Sequence, residues 1–168
     1  MGFVGGMAVV CGVPGYPRPL DARAFAHAKR VLPDKDEVMT KDLVPTASPY
    51  GCDETVERLK AAAAAVPMGL VAHINGQANA AKKGLAVDCD QILEVFRPDF
   101  AVRVWAARKE AGLDIPLRLH IYALGGRTMV AYRRPSRVFA PYGHPDLDVL
   151  GAELDAIFTG IIERALVF

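Results

Sequence analysis

Cysteine is scarce in this chain: there are three, Cys11, Cys52 and Cys89. Their number is odd, they lie far apart and none stands in a C-x-x-C pair, so neither a disulfide framework nor a structural zinc site is expected. A reducing compartment is the simpler expectation, and the cytoplasm is where we place the protein on that ground. Excess charge is lacking too, since 20 Lys and Arg stand against 19 Asp and Glu. A balance of that kind favours no polyanion partner, which argues against nucleic acid. No apolar run approaches the roughly 20 residues that span a bilayer, so no membrane partner is expected. Catalytic signatures are equally missing: Ser48 and Ser136 have no G-x-S-x-G setting, and no phosphate-binding glycine loop or dinucleotide fingerprint is present. No cofactor is expected. Apart from the alanine run Ala61 to Ala65, good helix material, there is no low-complexity tract and no internal repeat.

The opening MGFVGGMAVVCGVPG is apolar enough to raise the question of a signal peptide. The match is poor, because no Lys or Arg precedes the run, glycines break it, and no small-x-small cleavage site follows before Pro17. The first 35 residues read as an N-terminal extension holding a short helix from about Ala22 to Val31, capped by Asp21. Residues 36–168 read as a single domain of ordinary size, for a chain long enough to bury about 70% of its unfolded surface.

What is present is organised around Ile115 to Arg133, IPLRLHIYALGGRTMVAYR. Leu117, Leu119, Ile121 and Ala123 alternate with Arg118, His120, Tyr122 and Leu124, which at a side-chain period of two makes one apolar and one polar row. Gly125-Gly126 supplies a two-residue turn, where positive φ is needed and glycine reaches it without a Cβ clash. Ahead of this hairpin, Lys35 to Thr46 reads as a strand ending at Pro45. Asp53 is a good N-cap for a helix whose Val56, Leu59, Ala63 and Val66 recur at helical spacing. Leu70 to Ile74 is a short strand carrying His73. Asn75-Gly76 is better read as the cap of a helix through QANAAKK, stopped by Gly84, than as a second hairpin.

Gln91 to Phe96 is a further strand. Pro98 then opens a helix with the stripe Phe100, Val104, Ala107 and Ala111. Past the hairpin, YRRPSRVFAPYGHPD reads as a connection punctuated by prolines, and Leu147, Leu150, Leu154, Ile157, Ile161 and Ala165 mark a long amphipathic helix. Strand, helix, strand, helix, strand, helix, hairpin, helix is the order of an α+β fold: a two-layer, mainly antiparallel sheet with helices packed on one face. The apolar row of the hairpin must meet those helices, and Arg118, His120 and Tyr122 must face away.

Several residues offer chemistry, each beside a plainer role. If their strands are neighbours, His73 and His120 could share a ligand or act as acid or base, yet no metal is expected because no third ligand is spaced to join them. Two histidines on a half-exposed sheet are the plainer reading. Arg97, Arg103, Arg118, Arg133, Arg134 and Arg137 could converge on an anion, since guanidinium binds carboxylate and phosphate bidentately; solvated surface charge is the alternative. Tyr122, Tyr132, Tyr142 and Trp105 could wall the same ligand or simply pack. Cys89, between Asp88 and Asp90, is poorly placed to form a thiolate. Cys52 is better placed at a helix start, but no histidine is assignable as its base.

The run DETVERLKAA, then GLVAHI, the A-x-x-x-G-L of Ala80 to Leu85, a strand ending at Phe96, then GLDIPLRLHIY, GG and VAYRRP together resemble a bacterial family called domain of unknown function 302, over about Thr40 to Leu166. The resemblance implies a small α+β domain, commonly a homodimer, and no reaction. Family members often carry Asp-His near the positions of Asn75 and Gly76, and F-G-N-P where this chain has Phe96, Arg97, Pro98 and Asp99. A pocket at those positions would here have lost a titratable pair and gained an arginine. The expected function is therefore a homodimeric domain that binds a small anionic molecule through His73, Asn75, Arg97, Arg118, His120 and Tyr122. The alternatives are an enzyme using His73 or His120 and a protein–protein interaction module.

Overall fold

Strand β4, Leu117–Leu124, follows from the alternation in the sequence, and two glycines, Gly125 at φ 57° and Gly126 at φ 76°, return the chain as β5, Arg127–Arg133. The computed structural model describes residues 42–166; the whole of the extension, with the helix expected over Ala22 to Val31, and the first part of the strand expected from Lys35 lie outside them. Three more strands, β1 (Leu43–Ala47), β2 (Gly69–Asn75) and β3 (Asp90–Phe96), complete one sheet ordered β1-β5-β4-β3-β2, antiparallel at every step. The fold is α+β, as the order of elements required.

Among the described residues there are five α-helices: α1 (Cys52–Ala65), α2 (Gly76–Ala81) and α3 (Pro98–Ala107) between strands, and α4 (Pro135–Phe139) and α5 (Pro145–Leu166) after the last. Leu93, Val95, Leu117, Leu119, Ile121 and Val130 form the apolar face of the sheet and are nearly or wholly buried against Val56 and Leu59 of α1, Val104 of α3, and Leu147, Leu150 and Phe158 of α5. Removing that much apolar surface from water is the main force holding the layers together. Among the described residues, no helix is long and apolar enough to cross a membrane.

Four local expectations are corrected. β1 continues through Pro45 to Ala47, which is possible because β1 is an edge strand and proline there removes no interior ladder bond. The cap of α1 is Gly51 rather than Asp53, and Gly51 offers no side-chain bond; the Asp53 carboxylate is turned to the sheet instead. α3 stops at Ala107, where Arg108 is extended, and Ala111 reaches the core from a 3-10 turn, Lys109–Asp114. The proline-punctuated connection contains α4, with Pro135 in its first turn and a fully buried Phe139.

Candidate functional site

Period two in β3, β4 and β5 sends one row of side chains away from the helices. Glu94 lies opposite Arg118, Ile92 opposite His120 and Asp90 opposite Tyr122 across the β3–β4 ladder. Arg118 donates from Nε to Glu94 Oε1 at 2.9 Å. His120 Nε2 is 3.1 Å from Asp90 Oδ1, and its ring stacks on that of Tyr122 with centroids 4.8 Å apart. Arg118, His120 and Tyr122 therefore share one face, with His120 in the middle.

At the end of that row Arg118 and Arg133 line one surface cavity of about 250 Å3, together with Leu43, Asp114, Pro116 and Val138. Among the described residues Arg133 has no carboxylate partner. The Asp114 carboxylate accepts a 2.6 Å hydrogen bond from the Tyr142 hydroxyl, and this bond holds the tyrosine pKa above its ordinary value of 10.0.

Arg97 follows β3 at the same end of the sheet but belongs to a different setting. Its Nε and Nη2 fork onto Asp99 at 2.8 and 2.9 Å, and its guanidinium carbon lies 3.7 Å from the Phe100 ring centroid. The bonded guanidinium holds the Asp99 carboxyl below its usual 3.8. Arg97 lines a cavity of only about 20 Å3 with Met68, Phe96, Phe100 and Ile115, space for little more than one water.

His73 and Asn75 face the other way. His73 lies opposite Leu93 and Asn75 opposite Gln91, on the side of the helices. The idea that His73 and His120 approach one another is thereby overturned, because β3 separates their strands and the sheet separates their rings. Asn75 does cap α2, accepting from Ala78 N at 2.7 Å through Oδ1.

Gln91 is the residue that sequence reasoning missed. It is 1% exposed, in a row with Leu93 and Val95. Its Nε2 donates to Asp53 Oδ1 at 3.0 Å and contacts Cys52 Sγ at 3.2 Å, while Oε1 is 2.6 Å from His73 Nε2. An ionised carboxylate only accepts, so Asp53 fixes which end of the amide is NH2; Oε1 then requires a proton on His73 Nε2. A polar residue alternating with Leu and Val on a core row was the signal available for it.

The expectation of free cysteines is also corrected: Cys52 and Cys89 are disulfide-bonded, with Cα atoms 6.2 Å apart. Their separation of 37 residues carries no local spacing signal; only the docking of the start of α1 beside the start of β3 brings them together. The pairing removes the ground for inferring a reducing compartment.

The six expected site residues thus divide among the open sheet face (Arg118, His120, Tyr122), the end of β3 (Arg97) and the helix-facing end of β2 (His73, Asn75). No curated protein matches the chain. A solved structure described as the crystal structure of an uncharacterized conserved protein DUF302 from Bacillus stearothermophilus shares the fold, with a TM-score of 0.69, 23% identity, and coverage of 75% of this chain and 99% of that one. The family model described as "Domain of unknown function DUF302" matches residues 44–165, and the chain belongs to that family.

Proposed function

We propose that the protein binds a small anion in the cavity between Arg118 and Arg133. The observation that carries this reading is that both arginines line one recess of about 250 Å3. Continuing the β4–β5 register beyond His120 and Ala131 sets Arg118 and Arg133 opposite each other. Like charges in that position repel, and an anion between them relieves the repulsion. Glu94 offsets Arg118 only, and Asp114 is engaged by Tyr142, which leaves Arg133 to hold the ligand. A recess of this size suits a phosphate or a short dicarboxylate rather than a nucleotide.

Titration calorimetry of the full chain with inorganic phosphate and with succinate tests the reading. Arg133→Ala and Arg118→Ala should each weaken binding of the responding anion about tenfold or more, because each removes a charge-assisted pair. Unchanged affinity in both variants would sink the idea.

A second reading, that a second copy of the chain covers the open sheet face, is favoured by the apolar residues interleaved with its charges. Ile74 is exposed there, and Ile92, Tyr122 and Met129 are only half-buried. Sedimentation equilibrium of the wild type against Ile92→Lys decides it: a dimer lost in the variant supports the reading, and a monomeric wild type removes it.

A further inference from the structure

We propose that the Cys52–Cys89 disulfide is a thiol–disulfide exchange site, in which an external low-molecular-weight thiol attacks Cys89 and Cys52 leaves as the thiolate. The two sulfurs have opposite surroundings. Cys52 is the first residue of the 14-residue α1, whose N-terminal end favours negative charge and carries no side-chain cap. Its Sγ also faces the NH2 of Gln91, an amide so buried that water competes little for it. Among the described residues Cys89 has no such donor: its Sγ lies 3.8 Å from the carbonyl oxygen of Ile121, which disfavours a thiolate, and the exposed Asp88 and Asp90 flanking it add only a water-screened repulsion in the same direction.

In exchange chemistry the thiol of lower pKa leaves faster, so this asymmetry selects Cys89 as the sulfur attacked. Both cysteines are half-buried and pack against the hydrophobic core from its edge, so neither residue is sealed from water.

Other charges near the pair are Asp53 and Glu54 on α1 and His73 on β2. Asp53 opposes a thiolate at Cys52, but it is exposed to water and its Oδ1 is tied to the Gln91 amide. Screening by water weakens its repulsion more than it weakens the buried amide dipole.

The step balances with the thiol as reductant. One thiolate forms a bond to Cys89 Sγ, and the electron pair of the Cys52–Cys89 bond goes to Cys52 Sγ. A second thiolate attacks the external sulfur of the mixed disulfide and releases Cys89, which takes up one of the two protons the external thiols gave up; the other goes to Cys52 when its thiolate is protonated. The disulfide and two thiols become two protein thiols and one external disulfide, and the reverse reaction restores the bond.

The test uses the full chain carrying Cys11→Ser, so that these two cysteines are the only thiols. Samples equilibrated without denaturant in mixtures of reduced and oxidised glutathione are acid-quenched, alkylated and weighed by mass spectrometry. Two alkyl groups should appear and disappear reversibly as the mixture changes. Reduction that occurs only after denaturant is added would make the bond a staple and overturn the proposal. Alkylation rates against pH, measured separately in Cys89→Ser and Cys52→Ser, should place the Cys52 midpoint at least about one pH unit below that of Cys89. Equal or reversed midpoints would overturn the direction of attack.

Discussion

Gly151 of α5 lies directly against the backbone of Ser136 in α4: a Cβ added at Gly151 would stand 2.6 Å from Ser136 Cα. Two hydrogen bonds from Ser136 to the Asp155 carboxylate, from its N and its Oγ, fix the same contact one turn further along. α4 is therefore held flat on α5, which keeps Phe139 in the core. Since the opposing atom is backbone and cannot swing away, Gly151→Ala should destabilise the domain by about 1–3 kcal/mol, the usual range for overpacking. Urea unfolding measures it, and a midpoint equal to wild type would show that α4 yields freely.

The disulfide closes a loop between residues 37 apart, joining the start of α1 to the start of β3. In the chain-entropy account a loop of that length gives about 4 kcal/mol of stabilisation through the unfolded state. The double variant Cys52→Ser/Cys89→Ser should lose roughly that amount in denaturant unfolding. Adding a reductant to the wild type should bring its unfolding midpoint close to that of the double variant. A reductant-insensitive midpoint would show that the bond contributes little.

The elements whose signal is local are legible in the amino-acid sequence. Alternation and Gly125-Gly126 gave β4 and β5 their faces; Asn75 announced the cap of α2; the leucines from Leu147 onward drew α5, although Phe158 takes a core place that the stripe assigned to the half-buried Ile157. What stayed hidden depends on pairs of elements. Gly51 has no side chain to advertise a cap, and Asp53, the better cap by type, is turned to Gln91. The meeting of Cys52 and Cys89 depends on how α1 docks on the sheet. In β2 a nearly continuous apolar run gave no period from which to read the side of His73, so its separation from His120 needed the strand order. Of the six arginines that could converge on an anion, Arg118 and Arg133 line a single cavity; Arg97 is instead tied to Asp99 by a fork two residues long.

Gln91 is buried, yet its partners Asp53 and His73 reach water. Removing the amide therefore leaves no buried group unsatisfied, and Gln91→Leu should change stability by less than about 1 kcal/mol, because shape is kept. Gln91→Ala opens a cavity and should cost about 2–3 kcal/mol. If Gln91→Leu were as damaging as Gln91→Ala, the hydrogen bonds rather than the volume would be what the fold needs there. Nitrogen shifts of the His73 ring add a second check: the wild type should show the Nε2-protonated tautomer when the ring is neutral, and Gln91→Leu should release that preference.

Tyr142 and Asp114 tie the turn after α4 to the 3-10 turn before β4. The tyrosine hydroxyl must keep its proton to donate to the carboxylate, which is why its pKa in the folded protein is raised above 10.0. Below about pH 10 the hydroxyl is neutral in both folded and unfolded chains, and the bond contributes in full. As the pH rises further, the unfolded chain gives up this proton first, so the contribution declines and is gone once the folded hydroxyl has also ionised. Tyr142→Phe has no such proton. Urea unfolding midpoints followed from about pH 8 to about pH 11 should show wild type above the variant at the start and the two converging at the end. A constant offset across the range would mean that the difference comes from packing of the ring edge and not from the hydrogen bond to Asp114.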